Sequence, residues 1–209
     1  MKKVIASTLF ALAAATLSSS VLAGDWYGMV SAGRSDFKGG KSDLDNILIG
    51  AGATGLSSRL DDTDTGYKVQ LGYRINQNFA VEGGYLDLGK MKYTAAFTGG
   101  AASAEAKADG WNIALVGSVP VGQNLSLFAK LGMIDAKVKV NVSATGPGGA
   151  AAGSADDTSW KGNYGIGASY ALSDKWAVRA EYERFNDLGD SNTGKGDVDL
   201  FSVGVVFKF

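Results

Sequence analysis

The chain of 209 residues contains no cysteine and no histidine. Without cysteine it can form neither a disulfide framework nor a thiolate metal site. Without histidine it lacks the imidazole base on which most serine and cysteine hydrolases depend. Proline is scarce too, at 2 residues against 30 glycines. That ratio argues for turns and small side chains at crowded positions rather than a proline-rich disordered chain. The 20 basic and 21 acidic residues nearly cancel, so no basic excess points to nucleic acid. Long apolar runs are missing beyond Gly24, and no stretch there has the eighteen or so apolar residues of a spanning helix. If this chain crosses a membrane, it must do so with strands.

The first residues have a separate character. Lys2 and Lys3 form a positive start, Val4 to Leu17 an apolar stretch broken only by Ser and Thr, and Val21-Leu22-Ala23 a small-residue cleavage site. Residues 1–23 are therefore expected to be a secretory signal peptide and residues 24–209 one barrel domain. Removing the two lysines leaves 18 basic against 21 acidic residues in the remaining 186.

The last nine residues carry the clearest pattern. Phe201, Val203, Val205, Phe207 and Phe209 alternate with small or polar residues, which in a strand of period two places them on one apolar face. Similar alternation recurs in eight segments, at about Trp26–Arg34, Gly66–Ile75, Phe79–Leu88, Asp109–Val119, Asn124–Ile134, Trp160–Tyr170, Lys175–Phe185 and Val198–Phe209. Each is near the ten residues that a tilted membrane strand needs. Three connections are tight turns, at 76–78, 120–123 and 171–174. Four are long, at 35–65, 89–108, 135–159 and 186–197. Short turns on one side and long loops on the other predict an all-β, eight-stranded antiparallel up-and-down transmembrane barrel with both ends on the side of the short turns.

Parity within the strands assigns Val69, Leu71, Ile113, Leu131, Ile166 and Val178 to the lipid side, and Lys68, Gln70, Glu82, Lys130, Asn163 and Arg179 to the lumen. A soluble barrel would invert this arrangement. Trp26, Tyr73, Phe79, Tyr170 and Trp176 fall at the turn end, while Tyr67, Trp111, Trp160 and Tyr182 fall towards the loop end, as two interfacial girdles require.

The run Gly66–Arg74, the segment Val81–Gly89, the strand Ala177–Phe185 and the terminal Phe209, in this order and spacing, resemble the transmembrane domain of the outer membrane protein A family along the whole length after the signal. The resemblance implies that the C-terminal face of Phe201, Val203, Val205, Phe207 and Phe209 is read by the outer-membrane assembly machinery. It also implies a buried charge network in which Glu82 and Arg179 take part. The family's interior lysine on the fourth strand aligns with Val116. The periplasmic peptidoglycan-binding domain of long members has no counterpart in this sequence.

Three glutamates facing a lumen that eight strands leave only wide enough for side chains demand partners. Glu82, Glu181 and Glu183 are therefore expected to pair with Arg74, Lys130 and Arg179 and to plug the barrel. Towards the loop end, Lys107, Lys137 and Lys139 keep the outward parity and could equally meet lipopolysaccharide phosphates or be ordinary solvated charges on a protruding hairpin. Gly50-Ala-Gly-Ala-Thr-Gly55 matches a dinucleotide fingerprint, but no helix of useful length can follow it. It reads better as part of a short amphipathic segment with Leu44, Ile47, Leu48 and Ala51 on one face and Ser42 as cap. Asp61, Asp62 and Asp64 fail the spacing of an EF-hand.

The sequence thus leads to a structural or surface-exposed outer-membrane barrel that displays four external loops above a charge-plugged lumen. The alternative is a narrow channel for ions or small solutes. Neither enzymatic activity nor a cofactor or metal is expected. Partners are expected to be outer-membrane lipid and lipopolysaccharide, the assembly machinery and an extracellular ligand that the loops do not identify.

Overall fold

The computed structural model describes residues 26–190 and 193–209; the expected signal segment lies outside them. Nine strands and one short helix follow in the order β1 (Trp26–Lys38), α1 (Lys41–Gly50), β2 (Ser57–Asp61), β3 (Thr63–Arg74), β4 (Phe79–Phe97), β5 (Gly100–Pro120), β6 (Leu125–Gly146), β7 (Gly149–Ala171), β8 (Trp176–Leu188) and β9 (Gly196–Lys208). Each long strand pairs antiparallel with its neighbours around a ring that β4–β5 pairing closes on one side and β1–β9 on the other. β2 pairs only with β4 and extends β3 beyond Asp62, so the closed barrel has eight strands.

The termini are sewn together. β1 runs beside β9 from Tyr27 opposite Lys208 to Lys38 opposite Asp197, and the Phe209 amide donates to the Trp26 carbonyl at 3.1 Å. No sheet edge remains between β1 and β9 among the described residues, which removes the unpaired backbone groups that lipid could not satisfy.

The three tight turns sit where the composition places them. In the first, the Asn76 side chain accepts from the Asn78 and Phe79 amides at 2.9 and 2.8 Å, a local mimic of backbone pairing that favours Asn in turns. The long connections at 89–108 and 135–159 are not loops. β4 and β5 continue to a turn at Thr98-Gly99, and β6 and β7 to one at Pro147-Gly148, so two hairpins project far beyond the membrane. The alternation of Lys137, Val138, Lys139 and Val140 carries β6 past Ile134 in the sequence itself, whereas the facing stretches of β5 and β7 are rich in Ala, Gly and Ser, for example Ala151 opposite Ala144, and such weak alternation hides a strand. The turns themselves need glycine, since Gly99 and Gly149 have φ of 82° and 113°.

The first connection also holds more structure than a loop. β1 runs on to Lys38, and α1 covers the segment read as amphipathic. Ser42 is not its cap: Gly40 occupies that position and makes no side-chain cap bond. Only Leu44 and Leu48 are half-buried, while Ile47 and Ala51 face solvent. The helix rests on one edge because the strand beneath it, β2, spans only five residues. Gly50 ends α1 and the next regular element after Gly55 is β2.

The outer surface between the rims is apolar. Val69, Leu71, Ile113, Leu131, Ile166, Phe201, Val203 and Val205 are all exposed, with Leu131 at 70%. In water such a belt would be an aggregation hazard; in a bilayer it is the solvated face. Aromatic pairs mark both rims. Trp26–Tyr73 and Trp176–Phe207 lie at the turn end with ring centroids 5.1 and 4.7 Å apart, and Tyr85–Trp111 lies at the loop end at 5.4 Å.

Candidate functional site

The lumen is stacked in three layers. At the turn end Tyr27, Met29, Ala80, Val116, Phe128, Ala177 and Val206 pack together. At the loop end a larger apolar cluster includes Phe37, Leu86, Leu88, Ile134, Phe185, Leu188 and Leu200. Between them lie the charges, with Lys68, Glu82, Lys130, Arg179, Glu181 and Glu183 all buried. The sequence reading expected polar or small residues throughout the lumen. The apolar layers are built instead from inward residues of the same strands, where side chains from across the narrow barrel meet one another rather than water.

The charged layer is balanced, three cations against three anions, and every member has an opposite partner. Lys130 Nζ sits 3.1 Å from Glu82, 3.2 Å from Glu181 and 3.2 Å from Glu183. Lys68 bridges Glu181 and Glu183. Arg179 pairs with Glu82, and its Nε lies 3.4 Å from Glu181. Two contacts tie this layer to the apolar floor at the turn end: the Tyr27 hydroxyl donates to Glu82 at 2.6 Å, and the Arg179 guanidinium stacks 3.8 Å from the Phe128 ring centroid. Nearby, Asn112 donates to Asn163 at 2.9 Å. Each ion would cost several kcal/mol to bury alone, and the partners offset that cost only together.

Of the six residues expected in the network, five meet there. Arg74 does not. It is the last residue of β3, exposed at the turn end, and makes no ion pair among the described residues. Its parity is inward and its ladder partner Ala80 is two residues from Glu82, but the side chain stands exposed at the turn-end rim, below the Tyr27 hydroxyl that bonds Glu82. The cation that takes its place is Lys68. It shares the strand and the inward parity, and only the shear of the closed barrel brings it opposite Glu181 and Glu183 on β8, which is not a neighbour of β3. The fourth-strand position that the resemblance assigns to lysine is Val116, in the turn-end apolar layer; its direct partner across the ladder is Lys130.

The three outward lysines lie on the protruding hairpins, past the loop-end aromatics. Lys107 stands opposite Lys90 on one side and Lys139 on the other, with Asp156 next in the row. Lys137 stands opposite Asp109. Like charges in register are unfavourable unless anions screen them. Lys107 has one such partner in Asp87 at 2.8 Å. The terminal alternation is as regular as read: Phe201, Val203 and Val205 face outward, and the Phe207 ring lies 4.7 Å from Trp176 and 5.5 Å from Phe209.

In the first external connection, Asp45 of α1 fastens the helix to the barrel. It accepts from the Ser58 and Tyr93 hydroxyls at 2.6 Å each and from Lys41 at 2.6 Å. The Lys41 ammonium, followed by the two hydroxyls, lowers its carboxyl pKa to about 2.

Outer membrane protein A from Yersinia pseudotuberculosis is 35% identical over 140 residues, and the Serratia marcescens protein 33% over 143. These matches cover 66% of this chain and 38% of each relative, so the chain spans well under half the length of the curated relatives it matches. Among solved structures, Neisserial surface protein A superposes with a TM-score of 0.52 at 17% identity, covering 88% of this chain and 97% of that one. The outer membrane protease OmpT from Escherichia coli gives 0.51 at 12%, covering 92% and 99%. At such identities the two structures speak to the fold alone. Residues 4–209 match the family described as the outer membrane protein beta-barrel domain, and with its closed eight-stranded wall, lipid-facing belt and aromatic rims the chain belongs to that family.

Proposed function

We propose that this protein serves as a structural and surface-display barrel, non-catalytic, closed to solutes, and secreted with loss of residues 1–23. The observation that carries this reading is the layered lumen. A balanced six-charge layer lies between two apolar layers, in which Leu86, Leu88, Ile134, Phe185 and Leu200 are fully buried. A conduit requires a continuous wet path, and two dry layers interrupt any path past Glu82, Lys130 and Arg179. Single-channel recording of refolded residues 24–209 in planar bilayers tests this reading. The expected result is no resolved conductance steps; reproducible steps that vanish with Arg179→Ala would favour a narrow channel.

The same reading assigns partners to the outer surface. The row of Lys90, Lys107 and Lys139, with Lys137 one step below, stands just outside the loop-end aromatics. This is the height at which lipopolysaccharide phosphates would lie. Lipid phosphates would relieve the like-charge row through charge-assisted hydrogen bonds. Replacing Lys107, Lys137 and Lys139 by Gln is expected to reduce the stabilisation gained from added lipopolysaccharide, while in plain detergent it costs no more than the ~1 kcal/mol at most of the Lys107–Asp87 surface pair. Equal losses in both media would assign the lysines to contacts within the protein.

A further inference from the structure

Above the membrane the strands of the barrel do not end together. β7 pairs with β8 only from Asn163 to Ala171, yet with β6 it runs without a break from Tyr170 up to Gly149. Residues 149–162 therefore form the side of a projecting sheet, with no strand beyond them among the described residues. The Gly162 carbonyl, which accepts from the Asn186 side chain of β8 at 3.4 Å, shows which way the backbone points. In an antiparallel ladder that direction alternates, so Ala150, Ala152, Ser154, Asp156, Thr158 and Trp160 turn both N–H and C=O away from β6. All six are exposed.

Such an edge invites another strand, and natural sheets protect it with proline, lysine, bulges or brevity. β7 has none of these between Ala150 and Trp160. The opposite edge of the same sheet does, since β2 spans only five residues. The charges of the β7 edge, Asp156 and Asp157, are balanced by Lys137 and Lys139 on β6, with Lys139 directly opposite Asp156. Two such edges would not repel each other.

We infer that this edge pairs with the same edge of a second copy on a facing membrane, so that two projecting sheets join antiparallel into one. Geometry selects the facing arrangement. Barrel strands tilt by roughly 35–45°, and two copies in one membrane, related by an axis along its normal, would bring their β7 strands together crossed at about twice that angle. An axis lying between two facing membranes and parallel to both makes the strands antiparallel whatever the tilt. With Ser154 opposite Ser154, Asp156 meets Ala152, Asp157 meets Ala151 and Thr158 meets Ala150, so each acid faces a small neutral residue. A register centred on Asp156 would oppose like charges. The inference rests on the surface-display role proposed above, but conductance, which tests that role, does not depend on edge pairing.

The chain has no native cysteine, so single cysteines report the contact without background. With the barrel in phosphatidylcholine vesicles, light scattering is expected to show clustering that rises with protein density, because many weak pairs act together. Under mild oxidation Ser154→Cys should form a covalent dimer. Ser103→Cys, exposed on the outer face of β5 away from the edge, should not. Ala150→Cys and Thr158→Cys should link to each other when two vesicle populations are mixed, and each should link poorly to itself. Ala152→Pro removes only an N–H that faces the free edge, a change that edge strands tolerate. It should abolish both the clustering and the Ser154→Cys dimer while the protein keeps its heat-modifiable migration. Vesicles that stay dispersed, as they would if the edge served a foreign strand, overturn the inference. So do clustering that survives Ala152→Pro and a Ser103→Cys dimer as abundant as that of Ser154→Cys.

Discussion

At the scale of single residues, Glu82 is the most constrained side chain in the lumen, touching Arg179, Lys130 and the Tyr27 hydroxyl while fully buried. Glu82→Ala leaves three buried cations facing two anions and the Tyr27 hydroxyl without its acceptor, and is expected to cost ~3 to 5 kcal/mol. Adding Arg179→Ala should recover part of that loss. Urea unfolding in lipid vesicles measures the double-mutant cycle, and a coupling energy near zero would mean that the pair does not act as one. Tyr27→Phe should cost ~1 to 2 kcal/mol by removing a hydrogen bond to a charged acceptor. Gly72 leaves room for the Tyr27 ring, because a Cβ there would overlap it. Much of this layer was legible in the sequence: parity placed the glutamates inside, and the family resemblance singled out Glu82 and Arg179. Parity says which face a residue takes but not its height in the barrel. For that reason Arg74 was expected where Lys68 stands, and the apolar layers built on Phe128, Phe185 and Leu200 went unread.

At the scale of elements, the terminal strand and the first external helix make contrasting cases. β9 alternates strictly and bonds to both β1 and β8, so its outward face is visible in the sequence alone. If that face is the assembly signal, deleting Phe209 or introducing Phe207→Asp should leave the protein periplasmic and deplete it from the outer-membrane fraction. Normal heat-modifiable barrel in that fraction would count against this role. α1 was legible as an amphipathic segment, but its fastening was not, because Asp45 reaches Ser58 and Tyr93 across 13 and 48 positions of chain. Its carboxyl pKa is depressed to about 2, below the value near 4 expected when unfolded. The tie is therefore complete above about pH 4 and is lost as pH falls towards 2. Amide exchange in α1, normalised to intrinsic rates, should accelerate over that interval in the native protein. In Asp45→Asn it should already be fast at neutral pH and change little on acidification. The two projecting hairpins were legible only in part, through the alternation at Lys137–Val140 on β6. Strands of alanine and glycine pair through the backbone and leave little side-chain pattern to detect, as Ala151 and Ala152 opposite Ala144 and Ser143 illustrate.

At the scale of the whole molecule, the barrel is a closed wall whose inside is apolar towards both ends and charged in the middle. This order makes the strength of the central ion pairs depend on the apolar layers, since a pair that is strong in a low dielectric weakens once water reaches it. Phe185, fully buried in the loop-end layer, is the largest apolar side chain between the outer mouth and the charges. Phe185→Ala should cost ~3 to 5 kcal/mol as a core truncation. It should also have a second effect that a simple packing loss would not produce. If the shortened side chain admits water, the Glu82–Arg179 coupling measured in the Phe185→Ala background should fall from several kcal/mol to ~1 or less. Ala177→Gly, a small truncation in the opposite apolar layer that opens no path from the mouth, should leave the coupling intact. Repeating the double-mutant cycle in both backgrounds gives the answer. An undiminished coupling behind Phe185→Ala would mean that the charges hold together through the geometry of the wall rather than through exclusion of water, and the two apolar layers would then have no part in keeping the lumen shut.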